Sequence, residues 1–149
     1  RNIRLAGRLM DIAHVVQSSV APVFLLTGVA ATLGVLTNRL ARIVDRGRAL
    51  EQRLEGHPGS APHLREDLAV LARRARYINV AISLCALAAL LVALVVVTLF
   101  ANAFLGSGLG VAIALLFVAA MVCLSAAFIT FFIEVRLATA ALRIGVPRP

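Results

Sequence analysis

The chain has 149 residues, of which 61% are hydrophobic and 15% charged, with a mean hydropathy of +0.96. An ordinary soluble domain is roughly 45–50% apolar and about 25% charged, so this composition excludes a disordered chain and a soluble monomer. All 15 basic residues are Arg and the net charge is +8. That sign is also found in nucleic-acid binders, but here the Arg positions follow a membrane topology instead.

Residues 1–11 carry Arg1, Arg4, Arg8 and Asp11 at helical spacing, with Ile3, Leu5, Leu9 and Met10 on other faces. The pattern predicts an interfacial amphipathic segment. A bilayer core about 30 Å thick needs roughly 20 mostly apolar helical residues. Three stretches reach that length without Asp, Glu, Lys or Arg: 12–37, 78–105 and 111–133. Along the first helix, Asp11, His14, Ser18 and Thr32 fall within about 60° of one another at 100° per residue, with Leu25 close by. Such a stripe suits water or another protein. In a homo-oligomer it would line a vestibule that narrows at Leu25; alternatively it marks where the helix leaves the membrane.

Segment 38–77 holds nine of the Arg residues, and the tail adds Arg136, Arg143 and Arg148. Cytoplasmic flanks collect basic residues, so both regions are expected inside, with the N-terminus outside and the C-terminus inside. Leu33, Leu36, Leu40, Ile43, Gly47, Leu50 and Leu54 step by three and four, which predicts that the first helix continues past the membrane as one arm of a coiled-coil-like hairpin. The run Gly56-His57-Pro58-Gly59-Ser60-Ala61-Pro62 breaks it. Leu64, Leu68, Leu71, Ala75, Ile78, Ile82 and Cys85 then repeat the pattern on the returning arm. Nine Arg interspersed with five acids give no continuous basic stripe, so nucleic acid is not an expected partner.

Where the spans meet this hairpin, Asn38, Arg39, Arg42, Arg76, Asn79, Glu134 and Arg136 form a polar layer. Glu134 is the only acid in 78–149. A carboxylate at such a boundary is best accommodated by a cation, and Arg39, Arg42 and Arg76 are expected within reach. That carboxylate either fixes helix register as an ion pair, serves as a gate or proton-binding group, or is simply solvated.

The remaining chemistry is sparse. His14, His57 and His63 do not converge, and no metal set is expected from them. Cys85 and Cys123 differ in depth by roughly 10 Å at 1.5 Å per residue, too far for a disulfide. Gly106-Ser107-Gly108-Leu109-Gly110 has no preceding strand and no following Lys, so it reads as a turn between spans two and three and not as a phosphate loop. Small residues at four-residue spacing, Gly28 with Thr32, Ala30 with Gly34, and Ala119 with Cys123 and Ala127, favour close helix packing.

Thr37-Asn38-Arg39-Leu40 at the end of the first span, the Arg-rich hairpin, and Glu134-Val135-Arg136-Leu137-Ala138-Thr139-Ala140-Ala141-Leu142 at the end of the last resemble a bacterial family of small inner-membrane proteins known only as a domain of unknown function. The resemblance runs from about Asp11 to Leu142. It implies three spans in the bacterial inner membrane and brings no catalytic residues.

The expected fold is therefore all-α and integral to the membrane: a single domain with three spans, a cytoplasmic antiparallel hairpin at 38–77, and a last helix reaching about residue 144. No paired carboxylates, metal cluster or nucleophile with its base points to an enzyme, and no cofactor is expected. The functional expectation is a homo-oligomeric, channel-like membrane protein. The alternative is an accessory or scaffold subunit that docks partner subunits or anionic lipid headgroups through the hairpin.

Overall fold

The structure is a computed structural model that describes residues 2–56, 61–105 and 108–141, without the side chains of 2–12, 15, 61, 63, 105, 140 and 141. The described residues form three helices: α1 (Asn2–Gly56), α2 (Ala61–Leu105) and α3 (Gly110–Ala141). All three are long and apolar enough to cross a membrane. The chain is an all-α protein with three membrane-compatible helices.

α1 passes from 2–11 into the first apolar stretch and on to Gly56 without a break, as the unbroken Leu33–Leu54 spacing predicts. Pro22 lies inside it. Lacking an N–H, Pro22 gives the Ser18 carbonyl no helical donor. The turn before α3 shows why Gly108 is glycine: its φ of 65° lies in the left-handed region, where a Cβ is costly. The Leu109 N–H donates to Asn102 Oδ1 at 3.0 Å, tying the start of α3 back to the last turn of α2. Gly106 and Ser107 lie outside the described residues, as do 142–144 at the expected end of the last helix.

Two compact units share the three helices. The first contains α1 up to Thr32, α2 from Cys85 and α3 up to Leu124. Its buried residues are Ser19, Pro22 and Val29 from α1, Cys85, Ala88, Val92 and Val95 from α2, and Ala120 from α3. Cys85 and Cys123 are free thiols, with Cys85 filling part of this core as a small apolar side chain.

The second unit contains α1 from Leu33, α2 up to Leu84 and α3 from Ser125. It buries Leu36, Ile43, Leu71, Ile78, Ala81, Ala127 and Ala138. Leu33, Leu40, Gly47, Leu50 and Leu54 are half-buried around Leu36 and Ile43, which places the α1 seam where its spacing predicts. On α2 every predicted seam residue from Leu64 to Cys85 is buried or half-buried, and the fully buried line is narrower. Leu71, Ile78 and Cys85 belong to it, but Ala81 and Ala88 are buried where Ala75 and Ile82 are only half-buried. Continuing that three-and-four stepping backwards from Ala81 and Ile78 reaches Arg74, which is half-buried as Ala75 is.

Large apolar side chains remain exposed along all three helices, among them Phe24, Val97, Phe104, Val111, Leu115 and Ile129. Water would oppose that much apolar surface, whereas lipid covers it without cost.

Candidate functional site: a buried carboxylate between two arginines

Glu134 is the largest departure from an apolar interior. On α3 it follows Ala120 and Ala127 in steps of seven, so it occupies a core position of the helix, and its side chain is 0% exposed. A buried charge is tolerated only when paired and hydrogen-bonded. The second unit supplies two partners. Arg74 of α2 places Nη2 2.9 Å and Nε 3.1 Å from Oε1, both donating to that oxygen. Arg39 of α1 brings Nη2 to 3.2 Å from Oε2. No N–H is aimed at Oε2 well enough to make a hydrogen bond, so the Arg39 contact is an ion pair and the Arg74 contact the stronger, charge-assisted one.

Aromatic rings on α3 hold the surrounding guanidiniums. Arg39 Cζ lies 5.3 Å from the centre of the Phe131 ring, and Arg136 Cζ lies 5.0 Å from that of Phe132. Both distances are within the range where a cation is drawn to a ring face. Arg39 is thus gripped from two sides, by a carboxylate and by an aromatic ring one helical turn earlier on α3.

The other polar-layer residues are placed differently. Arg42, Arg76, Asn38, Asn79 and Arg136 are all exposed. Among the described residues only Arg39 and Arg74 pair with Glu134. Arg74 is absent from the expected partners, and Arg76 and Arg42 do not reach the carboxylate. The signal that identifies Arg74 is its place in the buried line, three residues after Leu71 and four before Ile78. Counting apolar residues alone passes over it. Because Glu134 is fully enclosed, a solvated surface charge is ruled out as its role.

Arg39, Arg42 and Arg46 of α1, spaced by three and four, share one face with Arg74 of α2. Together with Ile43 and Leu71 they line an open cavity of about 360 Å3 in the second unit.

In the first unit the α1 stripe does not form a single exposed face. His14 and Ser18 are exposed, whereas Leu25 and Thr32 are half-buried beside the buried Pro22 and Val29. The hydroxyls bond within their own helix, Ser18 Oγ donating to the His14 carbonyl at 2.8 Å and Thr32 Oγ1 to the Gly28 carbonyl at 2.9 Å. The Asp11 side chain lies outside the described residues, as do those of His57 and His63. Gly28, Ala30 and Gly34 are exposed, and a Cβ built on either glycine would meet nothing within 4 Å. On α3 the buried small residues are Ala120, Ala127 and Ala138, while Ala119 is exposed and Cys123 half-buried. Among the described residues no group of three or more His, Cys, Asp or Glu could hold a metal ion.

Residues 19–144 match a family described as protein of unknown function (DUF2721). The match takes in both the Thr37–Leu40 and the Glu134–Leu142 motifs; it starts later than Asp11 and ends just past Leu142. No curated protein and no solved structure matches the chain.

Proposed function

The chain belongs to the DUF2721 family, and on that premise we propose that it is a non-enzymatic protein of the bacterial inner membrane that works as a homo-oligomer, with a channel-like assembly as its form. In this reading the Arg-rich segment 38–77 is a cytoplasmic hairpin, the N-terminus is outside and the C-terminus inside, following the twelve Arg of 38–77 and the tail against three at the start.

The observation that carries the reading is the outward face of α1. Ala30 and Gly34 have the small-residue spacing by which membrane helices approach closely, yet like Gly28 they are exposed, and a Cβ built on either glycine would meet nothing within 4 Å. His14 and Ser18 lie exposed on the same helix, beside a Ser18 carbonyl that Pro22 leaves without its helical donor. Neighbouring copies packed around α1 would cover the small residues on one side and the polar groups on another. Leu25, half-buried in its own chain on the line of His14 and Ser18, is the apolar constriction in this reading.

Native mass spectrometry of the full chain from mild detergent tests this. A single homo-oligomeric mass is expected, shifting to monomer in Gly28→Leu/Gly34→Leu, whose added side chains have open space within one chain. A conductance altered by Leu25→Ala is expected in planar bilayers. A monomeric native chain refutes self-association. A mass containing other polypeptides favours the accessory-subunit reading, in which the exposed Arg residues of the hairpin dock a partner.

A further inference from the structure

The arginine cavity is not explained by the Glu134 clamp. Arg39 and Arg74 each have an acid, but Arg42 and Arg46, on the same wall, have no carboxylate within 4.0 Å among the described residues. Four guanidiniums thus share one carboxylate, and that carboxylate is sealed beneath two of them. Like charges converging on one hollow repel one another, and an open cavity of about 360 Å3 between them is the arrangement that a multivalent anion relieves. Its floor is Ile43 and Leu71, both nearly buried. The donors are guanidinium forks, which match the paired oxygens of a phosphate.

Position and surroundings identify what carries the phosphate. Arg39 is the first ionisable residue after the apolar stretch of α1, and Arg74 lies within one turn of the apolar stretch of α2. Arg39 also leans over Phe131. Phe131 lines a second, apolar groove of about 560 Å3 with Phe128, Ile129, Phe132 and Val135 of α3. Arg39 therefore lines the cationic hollow and lies over Phe131 of the apolar groove, at the depth where a bilayer changes from headgroup to hydrocarbon. A free phosphate would use only the hollow. A phospholipid uses both.

We propose that Arg39, Arg42, Arg46 and Arg74 form a binding site for the phosphate of an anionic phospholipid, whose acyl chain lies along the Phe128–Val135 face of α3. Arg42 and Arg46 carry the specificity of the site, since they are free to turn to the ligand while Arg39 and Arg74 remain on Glu134.

The test uses the full chain in a neutral detergent, titrated with phosphatidylglycerol, phosphatidylcholine or inorganic phosphate and read by native mass spectrometry and by the shift in Tm. The site predicts saturable retention of phosphatidylglycerol with a raised Tm, and weaker retention of phosphatidylcholine. Inorganic phosphate is expected to compete only at far higher concentration. Arg42→Gln/Arg46→Gln, which spares the clamp, is expected to weaken phosphatidylglycerol retention about tenfold or more. Arg65→Gln/Arg73→Gln, removing the same charge from exposed positions elsewhere on α2, is expected to leave it unchanged. Equal loss in the two double variants would overturn the site, because attraction would then follow net charge alone. Inorganic phosphate binding as tightly as the lipid would overturn the lipid as its source.

Discussion

The two units solve the same packing problem with opposite chemistry. In the first, the buried positions of α2 and α3 are Cys85, Ala88, Val92, Val95 and Ala120, small or medium apolar groups that let helices close on one another. In the second, the same stepping along α2 and α3 arrives at Arg74 and Glu134, and the seam becomes an ion pair. The difference lies where each segment sits along the apolar stretches. Deep in hydrocarbon an ion pair has no water with which to exchange, and small apolar residues pack best by van der Waals contact. Past the apolar stretches of α1 and α2, Arg39 is 34% exposed and Arg74 18%, while guanidinium nitrogens of both lie within 3.2 Å of the sealed carboxylate. Among the described residues the fully buried charge, Glu134, thus lies where long, partly exposed Arg side chains can reach it.

That contrast can be broken from either side. The largest effect is expected from Arg74→Ala, which leaves a fully enclosed carboxylate with only the unaligned Arg39 contact. Removing one partner of a buried pair costs about 3 kcal/mol, and thermal unfolding in detergent should show it, whereas Glu51→Ala on the exposed surface of α1 should stay within about 0.5 kcal/mol. Equal Tm values for the two variants would mean that the clamp does not hold the helices together. Next in size is Ala120→Leu in the first unit, where three extra carbons enter a filled seam at a cost of about 2 kcal/mol. Ala119→Leu, one residue away and exposed, should be nearly neutral, so a reversed order would place the α3 seam on the wrong line. The smallest effect is expected from Arg76→Ala, two residues beyond Arg74 but exposed and without an acid within 4.0 Å among the described residues, at under about 0.5 kcal/mol. A loss as large as that of Arg74→Ala would move the carboxylate's partner to Arg76.

Much of this architecture can be read directly from the residues. The charge-free lengths mark three membrane-compatible helices, and Leu33 to Leu54 shows that α1 continues beyond its apolar stretch because nothing in 38–55 breaks the three-and-four spacing. Glu134 stands out as a lone acid, and Arg39 is identifiable beside it. Arg74 is harder to see, because Arg73, Arg74 and Arg76 look alike in sequence. Only the rotation of α2 decides among them. That rotation is fixed by Ala81 and Ala88, whose burial an apolar count cannot separate from that of Ile82 and Ala89 in a segment where nearly every residue is apolar. The same uniformity hides whether Ala119 or Ala120 faces inward on α3. Where hydrophobic contrast disappears, periodicity loses its phase, and packing of small against large side chains sets it instead.

The account rests most heavily on direct coupling between Arg74 and Glu134 across α2 and α3. A double-mutant cycle of Arg74→Ala and Glu134→Ala, measured by unfolding in detergent, isolates that term from the effects of each truncation. The coupling is expected to exceed about 1.5 kcal/mol, as for side chains sharing a buried charged hydrogen bond. Additivity within about 0.3 kcal/mol would show that the two residues act independently, and would contradict an ionic seam in the second unit.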